Sequence, residues 1–377
     1  MTRSILDVVI GCDCDPDRPA YDGTRYDSRA PLRWYGVRNG VPRARQIADE
    51  FVDDFGNPAR ITWCVRSDAQ MGQLYGDFAW PYGAFADLWR ELEAGGDEIA
   101  WHPHLWRWDE GDECWYQEIE DEGWIRECLR GGHEALSKRM GRAVTTSRMG
   151  WEFHSNVTMD EIRRLGITLD FSAIPGRFTP GAADRWGSRF NGHVDWRGTP
   201  ERPYIPSASD YREPAESETA SNLRELPMSV FRSPALAVAA FIRALLKARG
   251  RSRISRLRSW RTALAAPLKA YITADHRLFT RLLRAKLKEA HASGRASLVT
   301  AFHPDDVLGD TLLRRPTGTD DGFSTNMRQL QSLAAKAGVA LRFTSASGFV
   351  HDGIDLCDQL ADGGSQKRST ESAVTAG

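Results

Sequence analysis

Short runs of β-branched and aromatic residues alternate along the chain with stretches whose apolar residues recur at helical spacing. The first kind predicts six strands, at residues 6–11, 60–65, 97–102, 167–172, 296–303 and 339–344. The second kind predicts amphipathic helices over 41–56, 85–96 and 158–166, the last opened by a capping box of Thr158 and Glu161. Strands and helices that alternate in this way favour a parallel sheet, open or closed into a barrel.

The remaining segments have other patterns. Residues 16–40 and 173–222 are rich in Pro, Gly, Asp and Arg, which predicts long loops over the mouth of the sheet. Residues 231–290 contain 15 Lys and Arg but only two acidic residues, with apolar positions at helical spacing. That pattern predicts basic helices that contact a membrane surface or an anionic ligand, or a solvated helical insertion that covers the barrel. We expect one domain over 1–357, a basic insertion at about 231–292, and a disordered tail over 358–377.

Composition narrows the function classes. The 50 Lys and Arg residues nearly balance the 51 Asp and Glu residues, so no global field argues for nucleic acid. No apolar run is long enough for a membrane span, and the N-terminal apolar run, broken by Asp7, is not typical of a signal peptide. The six cysteines form no CxxC pair, which fits reduced thiols, so we expect a cytoplasmic protein. Cys12 and Cys14 are either metal thiolates or small buried residues at a strand end.

Titratable residues stand at the ends of three predicted strands. Asp13 and Asp15 follow the first, His102 and His104 end the third, and His303 ends a later one. In parallel α/β sheets the chemistry lies at the carboxyl ends of the strands. Residues two apart in an extended segment project to the same side, so each pair can face one point. Two imidazoles and one carboxylate are typical of a catalytic divalent metal, and the second carboxylate can then act as a base.

Five motifs, in order over most of residues 5–350, resemble those of the polysaccharide deacetylase family. They are "GCDCD", "GDEIAWHPH", "SRMGWEFHSNVTMDEIRRLGITLDFS", "VDWRG" with the later "LRELPMS", and "LVTAFHPDD". The family usually has His-x-x-x-His in its second motif, whereas Trp106 stands at the fourth position after His102 here. The spacing is similar to that of a family branch that carries His-x-His. The resemblance implies an α/β fold, an irregular (β/α) barrel of about seven strands.

The resemblance also implies a role for each motif residue. Asp13 would be the general base, His303 the general acid, and Arg148 would pair with Asp13 and hold it ionised. Trp151 would line the cleft, a backbone N–H at Gly150 or Trp151 would stabilise the oxyanion, and Asp195 would orient the catalytic histidine beside the substrate. Glu225 would begin a Glu-x-Pro-like strand. The metal ligands would be Asp15, His102 and His104. Taken alone, Arg148 could instead bridge surface carboxylates, and His303 could be a histidine before a turn.

The activity implied by the resemblance is hydrolytic removal of an N-acetyl or other N-acyl group from an amino sugar or related intermediate. The cofactor would be a divalent metal, with Zn favoured and Co, Mn, Ni or Fe as alternatives. The substrate would be a small molecule or a lipid-linked saccharide, with peripheral contact to the inner membrane surface, no nucleic acid partner and a homo-oligomer as one option. Two alternatives stay open: an amidohydrolase of the same fold acting on a cyclic ureide or formamide, and a non-catalytic carbohydrate-binding protein.

Overall fold

The computed structural model of the chain describes residues 3–17, 27–182, 191–217, 221–231, 267–308 and 320–353. Every predicted strand is present, with small shifts at its ends. The described strands, numbered in chain order, are β1 Ile5–Cys14, β2 Thr62–Arg66, β3 Glu98–His102, β4 Trp106–Asp109, β5 Cys114–Gln117, β6 Thr146–Ser147, β7 Leu169–Asp170, β8 Phe178–Ala182, β9 Asn191–Asp195, β10 Arg224–Glu225, β11 Val230–Phe231, β12 Leu268–Lys269, β13 Arg295–Phe302 and β14 Ala340–Thr344.

Eight of these strands form one parallel sheet in the order β10-β7-β6-β3-β2-β1-β13, with β14 also beside β1. Strand β1 is long enough to serve three neighbours. Its residues 5–12 pair with β13 on one edge, while residues 5–9 pair with β14 and residues 11–14 with β2. At any one residue, each edge of a strand pairs with only one neighbour. The second edge of β1 therefore pairs first with β14 and, further along the strand, with β2.

The two ends of the sheet are joined by the segment after β10. The Leu226 N–H donates to Asp170 O of β7 at 2.8 Å, and the Ser229 N–H donates to Val299 O of β13 at 3.0 Å. These bonds connect one outer strand to the other, so the sheet curls into an irregular (β/α) barrel. The predicted fold class is therefore confirmed.

Helices cover the outside of the sheet. Those in the described residues are α1 Val41–Ala48, α2 Ala69–Tyr75, α3 Trp80–Ala84, α4 Ala86–Ala94, α5 Glu122–Met140, α6 Asn156–Arg164, α7 His276–Ser293, α8 Asp320–Ala337 and α9 Ala346–Gly353. Two predicted helices need correction. Helix α1 ends at Ala48 and not near residue 56, because the chain turns there into a loop held by the Asp53 carboxylate. Helix α6 begins at Asn156, earlier than predicted. Its N-cap is Ser155, and Thr158 occupies the N3 position of the capping box.

The predicted long loops contain short elements. In the described part of 173–222, β8 and β9 form an antiparallel hairpin, and residues 106–117, between the histidines and α5, form the hairpin β4–β5. In the described part of 16–40, residues 36–40 form a wide helical turn against the end of β13, and Gly40 approaches Pro304 so closely that a Cβ would overlap its carbonyl. These pieces surround the carboxyl ends of the strands.

The basic segment 231–290 is described only in part, and residues 232–266 lie outside the described residues, as does the tail 358–377. Its last portion is α7, whose apolar face of Phe279, Leu282, Leu283 and Leu287 is buried. The chain passes directly from α7 into β13, and the helix packs against that strand and α8. This portion thus packs in the helical layer of the barrel.

The core is continuous between the sheet and its helices. Strand β1 is buried from Leu6 to Cys14, as expected for a strand with both faces covered. Five of the 13 tryptophans, Trp63, Trp89, Trp101, Trp115 and Trp196, are fully buried and fill large volumes of the core. None of the helices in the described ranges is long and apolar enough to cross a bilayer.

Candidate metal and acid–base site

The candidate site is built from the carboxyl ends of neighbouring parallel strands. Asp13 and Asp15 come from the end of β1, His102 ends β3 with His104 two residues on, Arg148 directly follows β6, and His303 directly follows β13. Because these strands are parallel neighbours, their ends meet at one rim of the barrel. The order of the strands therefore brings together side chains that are up to 290 positions apart in sequence.

Asp15, His102 and His104 face one point. The Nε2 atoms of the two histidines are 3.2 Å apart, and the Asp15 carboxylate lies 3.5 Å from His102 Nε2 and 3.2 Å from His104 Nε2. All three ligand atoms lie within 4.8 Å of one another. Zinc binds imidazole nitrogen at ~2.0–2.1 Å with tetrahedral angles, which separates two such ligands by about 3.3 Å. The three side chains could hold a metal ion.

The hydrogen bonds of the histidines fit a cation between them. His102 Nδ1 donates to Arg148 O at 2.6 Å, which leaves the lone pair of its Nε2 directed at His104 and Asp15. Two Nε2 lone pairs at 3.2 Å repel each other unless a proton or a cation lies between them. Within the described residues His104 Nδ1 is buried without a hydrogen-bond partner, so only the Nε2 side of that ring has polar neighbours. The donor set of two nitrogens and one carboxylate suits zinc and other divalent ions.

The pKa values of two of the three side chains, His104 and Asp15, also favour metal-binding forms. Burial lowers the pKa of His104 to about 4, assisted by the nearby Arg66, so the ring is neutral at pH 7. Burial alone would raise the pKa of Asp15, but His104 and His102 together hold it well below its usual range. His102 behaves differently, because Asp15 and Asp13 raise its pKa against the opposing effect of burial. The two carboxylates therefore favour a positive charge at the His102 ring.

Arg66 and Asp68 support the site from behind, although the sequence motifs did not indicate them. Arg66 is fully buried at the end of β2, where its Nη1 lies 3.3 Å from Asp15 Oδ1 and its Nε donates to Asp68 Oδ2 at 2.6 Å. The same Asp68 oxygen accepts the backbone N–H of His104 at 3.1 Å. One carboxylate thus fixes both the guanidinium behind Asp15 and the chain at His104.

Asp13 is held by Arg148. Arg148 Nε donates to Asp13 Oδ1 at 2.6 Å, and its Nη1 donates to Phe171 O at 2.5 Å. Burial acts to raise the pKa of Asp13, but Arg148, His102 and His303 outweigh it and lower the value. Arg148 is completely buried, so it does not bridge surface carboxylates. The geometry leaves Asp13 Oδ2 without the guanidinium, directed towards His303.

His303 lies on the other side of Asp13. Its Nε2 is 4.0 Å from Asp13 Oδ2, and its Nδ1 is 3.9 Å from Asp306 Oδ2. A proton on either ring nitrogen therefore faces a carboxylate. The ring of Tyr271 lies 6.3 Å from the imidazole between centroids. His303 is partly exposed, so a substrate atom can reach it.

The loop after Arg148 forms one wall of the site. Trp151 and Glu152 both have left-handed backbone conformations, with φ of 57° and 56°, which is strained for residues other than glycine. The Trp151 ring packs edge-on against Trp106 at 5.9 Å, and Trp106 is stacked on His104. Gly150 has no room for a side chain, because a Cβ would lie 2.2 Å from the His104 ring.

Two predicted roles need correction. The Gly150 N–H donates to Pro103 O at 2.8 Å, so it is already used and cannot serve as an oxyanion donor; the Trp151 N–H is the remaining candidate. Asp195 does not orient His303 either, since its carboxylate makes ion pairs with Arg197 at 2.6 Å and Arg212 at 3.0 Å at the end of β9. The hairpin geometry, which the sequence did not reveal, directs Asp195 to those arginines.

Glu225 does belong to a strand, β10, but its side chain has a structural environment. It is fully buried and its Oε1 accepts the Ala173 N–H at 2.7 Å. Burial and the adjacent Asp170 raise the pKa of Glu225 well above its usual range, so a proton on this pair favours Glu225 over Asp170. Asp170 in turn contacts His154 Nε2 at 3.2 Å and accepts the Ser147 hydroxyl at 2.6 Å. His154 is thus a buried histidine with structural partners.

Cys12 and Cys14 are buried thiols. Burial raises the pKa of both, well above the usual value for Cys12, so neither is a thiolate. The described cysteines, Cys12, Cys14, Cys64, Cys114 and Cys128, are all free of disulfides. The interpretation of Cys12 and Cys14 as small buried residues at a strand end agrees with this burial.

No protein-family model matches the chain, and no curated protein matches it in sequence. Solved structures do resemble its fold. A candidate polysaccharide deacetylase from Mycobacterium smegmatis shares 16% identity at a TM-score of 0.45, with 100% of this chain and 96% of that chain covered. PuuE allantoinase shares 13% identity at a TM-score of 0.45, with 93% and 91% covered. A GH57-type branching enzyme from Pyrococcus horikoshii shares 11% at 0.40, with 93% and 70% covered. These similarities are too weak to assign this chain a reaction.

Proposed function

We propose that the chain is a metal-dependent hydrolase of the polysaccharide deacetylase type, which removes an N-acyl group, in the first place acetyl, from an amino sugar or related intermediate. The observation that carries this proposal is the convergence of Asp15, His102 and His104 on one point, with an arginine-paired Asp13 on the same strand. A divalent cation held by the three ligands would supply a Lewis acid that polarises the acyl carbonyl and acidifies water.

The residues around that point are suited to acid–base work. Asp13 is kept ionised by Arg148, so it can accept the proton of the attacking water. The water oxygen first bonds to the acyl carbon, and the C–N bond then breaks as His303 delivers a proton to the departing nitrogen. The products are a free amine and a carboxylic acid. Asp13 Oδ2 and His303 Nε2 are 4.0 Å apart, close enough for one residue to take a proton from the reacting group and the other to give one.

The rim restricts what can reach the site. Trp106 and Trp151 lie beside the ligand His104, and Trp151 is partly exposed, so its ring offers an apolar face to a sugar or another flat substrate. The strained backbone of Trp151 and Glu152 is held by contacts elsewhere, because the Trp196 indole donates to Glu152 O at 2.8 Å. Such strain is common where a wall must be placed against a reacting group.

The test is a substrate panel with purified protein, stripped of metal and then loaded with Zn²⁺, Co²⁺ or Mn²⁺. We expect release of acetate from one or more N-acetyl amino sugars, dependent on the added ion and lost in Asp13→Asn. Ring opening of a cyclic ureide or release of formate, without acetate, would instead assign an amidohydrolase acting on a non-sugar C–N bond. Protein that takes up no stoichiometric metal would contradict the proposal and leave a non-catalytic binding role.

A further inference from the structure

A cluster of charged residues lies beside the proposed reacting centre and has no part in the acid–base chemistry. Its members are Glu152, Arg177 and Lys269, here called the Glu152 cluster. The Glu152 carboxylate is buried, Arg177 Nη1 lies 2.9 Å from Glu152 Oε2, and Lys269 Nζ contacts Glu152 Oε1. Burial acts to raise the pKa of Glu152, yet Arg177, Lys269 and Arg148 lower it to about 2. The carboxylate is therefore charged.

The cluster has more positive than negative charge. Arg148 lies 3.9 Å from Glu152 but is already paired with Asp13 at 2.6 Å. Two further cations, Lys269 and Arg177, then share the single carboxylate of Glu152. One of them would suffice to balance it. Burial together with Arg177 lowers the pKa of Lys269 to about 8 despite Glu152, as expected for a cation with too little negative charge around it.

Both cations are partly exposed. The side chains of Lys269 and Arg177 are 17% and 24% exposed, whereas that of Glu152 is only 7% exposed. Lys269 and Tyr271 are two apart and partly exposed, with buried Ala270 between them, so they face the same side. Lys269 Nζ donates to the Tyr271 hydroxyl at 3.2 Å, and the Tyr271 ring lies next to His303.

We propose that Lys269 and Arg177 form an anion-binding subsite that recognises a carboxylate or phosphate group on the substrate, next to the acyl group that is removed. This inference rests on the proposed function for the position of the reacting centre, but the subsite itself is a binding property. The substrate is then an anionic N-acyl amine. Arginine and lysine together are suited to such a group, the first through its planar fork and the second as a mobile point charge.

The test compares probes that share the same acetamide. N-acetylglucosamine is neutral, N-acetylglucosamine 6-phosphate adds a phosphate, and N-acetylmuramic acid adds a carboxylate, so the two anionic arms distinguish the two sources of charge. Binding to the zinc-loaded protein is measured by calorimetry, and acetate release is measured separately. The variants are Lys269→Met and Arg177→Met, with Lys269→Arg to keep the charge and Lys336→Met, at an exposed position on α8, as the matched control.

We expect the unsubstituted protein to bind at least one anionic probe roughly tenfold or more tightly than the neutral one. Lys269→Met and Arg177→Met should each reduce that preference roughly tenfold, or abolish it, the effect of losing one charge-assisted hydrogen bond. Lys269→Arg and Lys336→Met should retain it. The two methionine variants lose a partner of Glu152 and should melt at a lower temperature, so binding is measured well below their melting temperatures, where circular dichroism should show them folded.

Equal binding of all probes, or a preference that survives both methionine substitutions, would overturn the subsite. A preference that survives both substitutions would mean that the anionic group of the probe binds the metal and not Lys269 or Arg177. Charge-dependent binding without acetate release would support the subsite while contradicting the deacetylase proposal. Acetate release without charge preference would do the reverse, so the two proposals can fail separately.

Discussion

The two ends of β1 both carry buried carboxylates, but their surroundings differ. At the amino end, Asp7 lies between two arginines, with Arg295 Nε on one oxygen and Arg342 Nε on the other, each at 2.6 Å. At the carboxyl end, Asp13 has one guanidinium and Asp15 faces two imidazole nitrogens. Each carboxylate oxygen of Asp7 is paired with its own guanidinium, so at that end the carboxylate is not directed at an open binding point. The carboxyl end leaves lone pairs directed at a common point, where an ion and a substrate can bind.

Because the two ends of β1 differ in this way, we expect a substitution at the carboxyl end to lower activity and one at the amino end to lower stability. Asp13→Asn keeps the shape of the side chain but removes the base, so we expect kcat/KM to fall roughly 10²- to 10⁴-fold. Zinc uptake should be unchanged, because Asp13 is not among the three ligands. The measurement is steady-state hydrolysis of the best probe from the panel, with elemental analysis of the same sample. Activity within threefold of the unsubstituted protein would remove Asp13 from the mechanism.

Asp7→Asn should act on stability and not on turnover. It leaves Arg295 and Arg342 without their carboxylate, and breaking a buried ion pair costs about 3–5 kcal/mol. We expect the lower end, about 3 kcal/mol, because both arginine side chains are about one-fifth exposed. Urea unfolding followed by circular dichroism gives the value. If Asp7→Asn instead lost activity at full stability, the functional contrast between the ends would be wrong.

The carboxyl end also predicts a pH-dependent contribution from Glu152. Its folded pKa is lowered to about 2 from 4.5, so its charge stabilises the folded state in full above about pH 4.5. That contribution, about 3 kcal/mol, is lost as the pH falls from about 4.5 towards 2. The destabilisation by Glu152→Gln should therefore be larger at pH 6 than at pH 3, as measured by urea unfolding at both values. An equal difference at both would show that Glu152 is not held charged by Arg177 and Lys269.

The smallest expected effect tests the close approach at His104. Gly150→Ala places a Cβ within about 2.2 Å of the imidazole, so the ring must move. Displacing a ligand from its orientation typically weakens metal affinity roughly 10- to 100-fold. The control is Gly123→Ala in the exposed first turn of α5, where a Cβ finds only the Asp121 carboxylate at 3.5 Å. Competition with a chelator measures both affinities, and equal values for the two variants would argue against His104 as a ligand.

The sequence predicted most of the sheet because β1, β2, β3, β13 and β14 are runs of β-branched and aromatic residues that are buried on both faces. Its local patterns did not predict β6 and β10, which are only two residues long; a strand at Glu225 was expected only from the motif resemblance. The hairpins β4–β5 and β8–β9 were not predicted either. Strong local patterns thus identify the long strands, whereas the short ones depend on tertiary contacts.

In the candidate site, the residues that the sequence predicted are those that stand directly at the ends of predicted strands. Arg66 could have been found in the same way, because it follows the predicted strand 60–65. Glu152, Arg177 and Lys269 carry no such signal, since they come together from a strained loop, a hairpin and a two-residue strand. The roles of Asp195 and the Gly150 N–H were predicted from the motif resemblance alone. In the structure both groups bind other partners, through contacts that the motif does not encode.

The most direct test of the central claim is anomalous X-ray diffraction at the zinc edge from crystals of the zinc-loaded protein. We expect one strong peak at ~2.0–2.2 Å from His102 Nε2, His104 Nε2 and an oxygen of Asp15. Absence of a peak at these three residues, or a peak that survives the double substitution His102→Ala and His104→Ala, would contradict it.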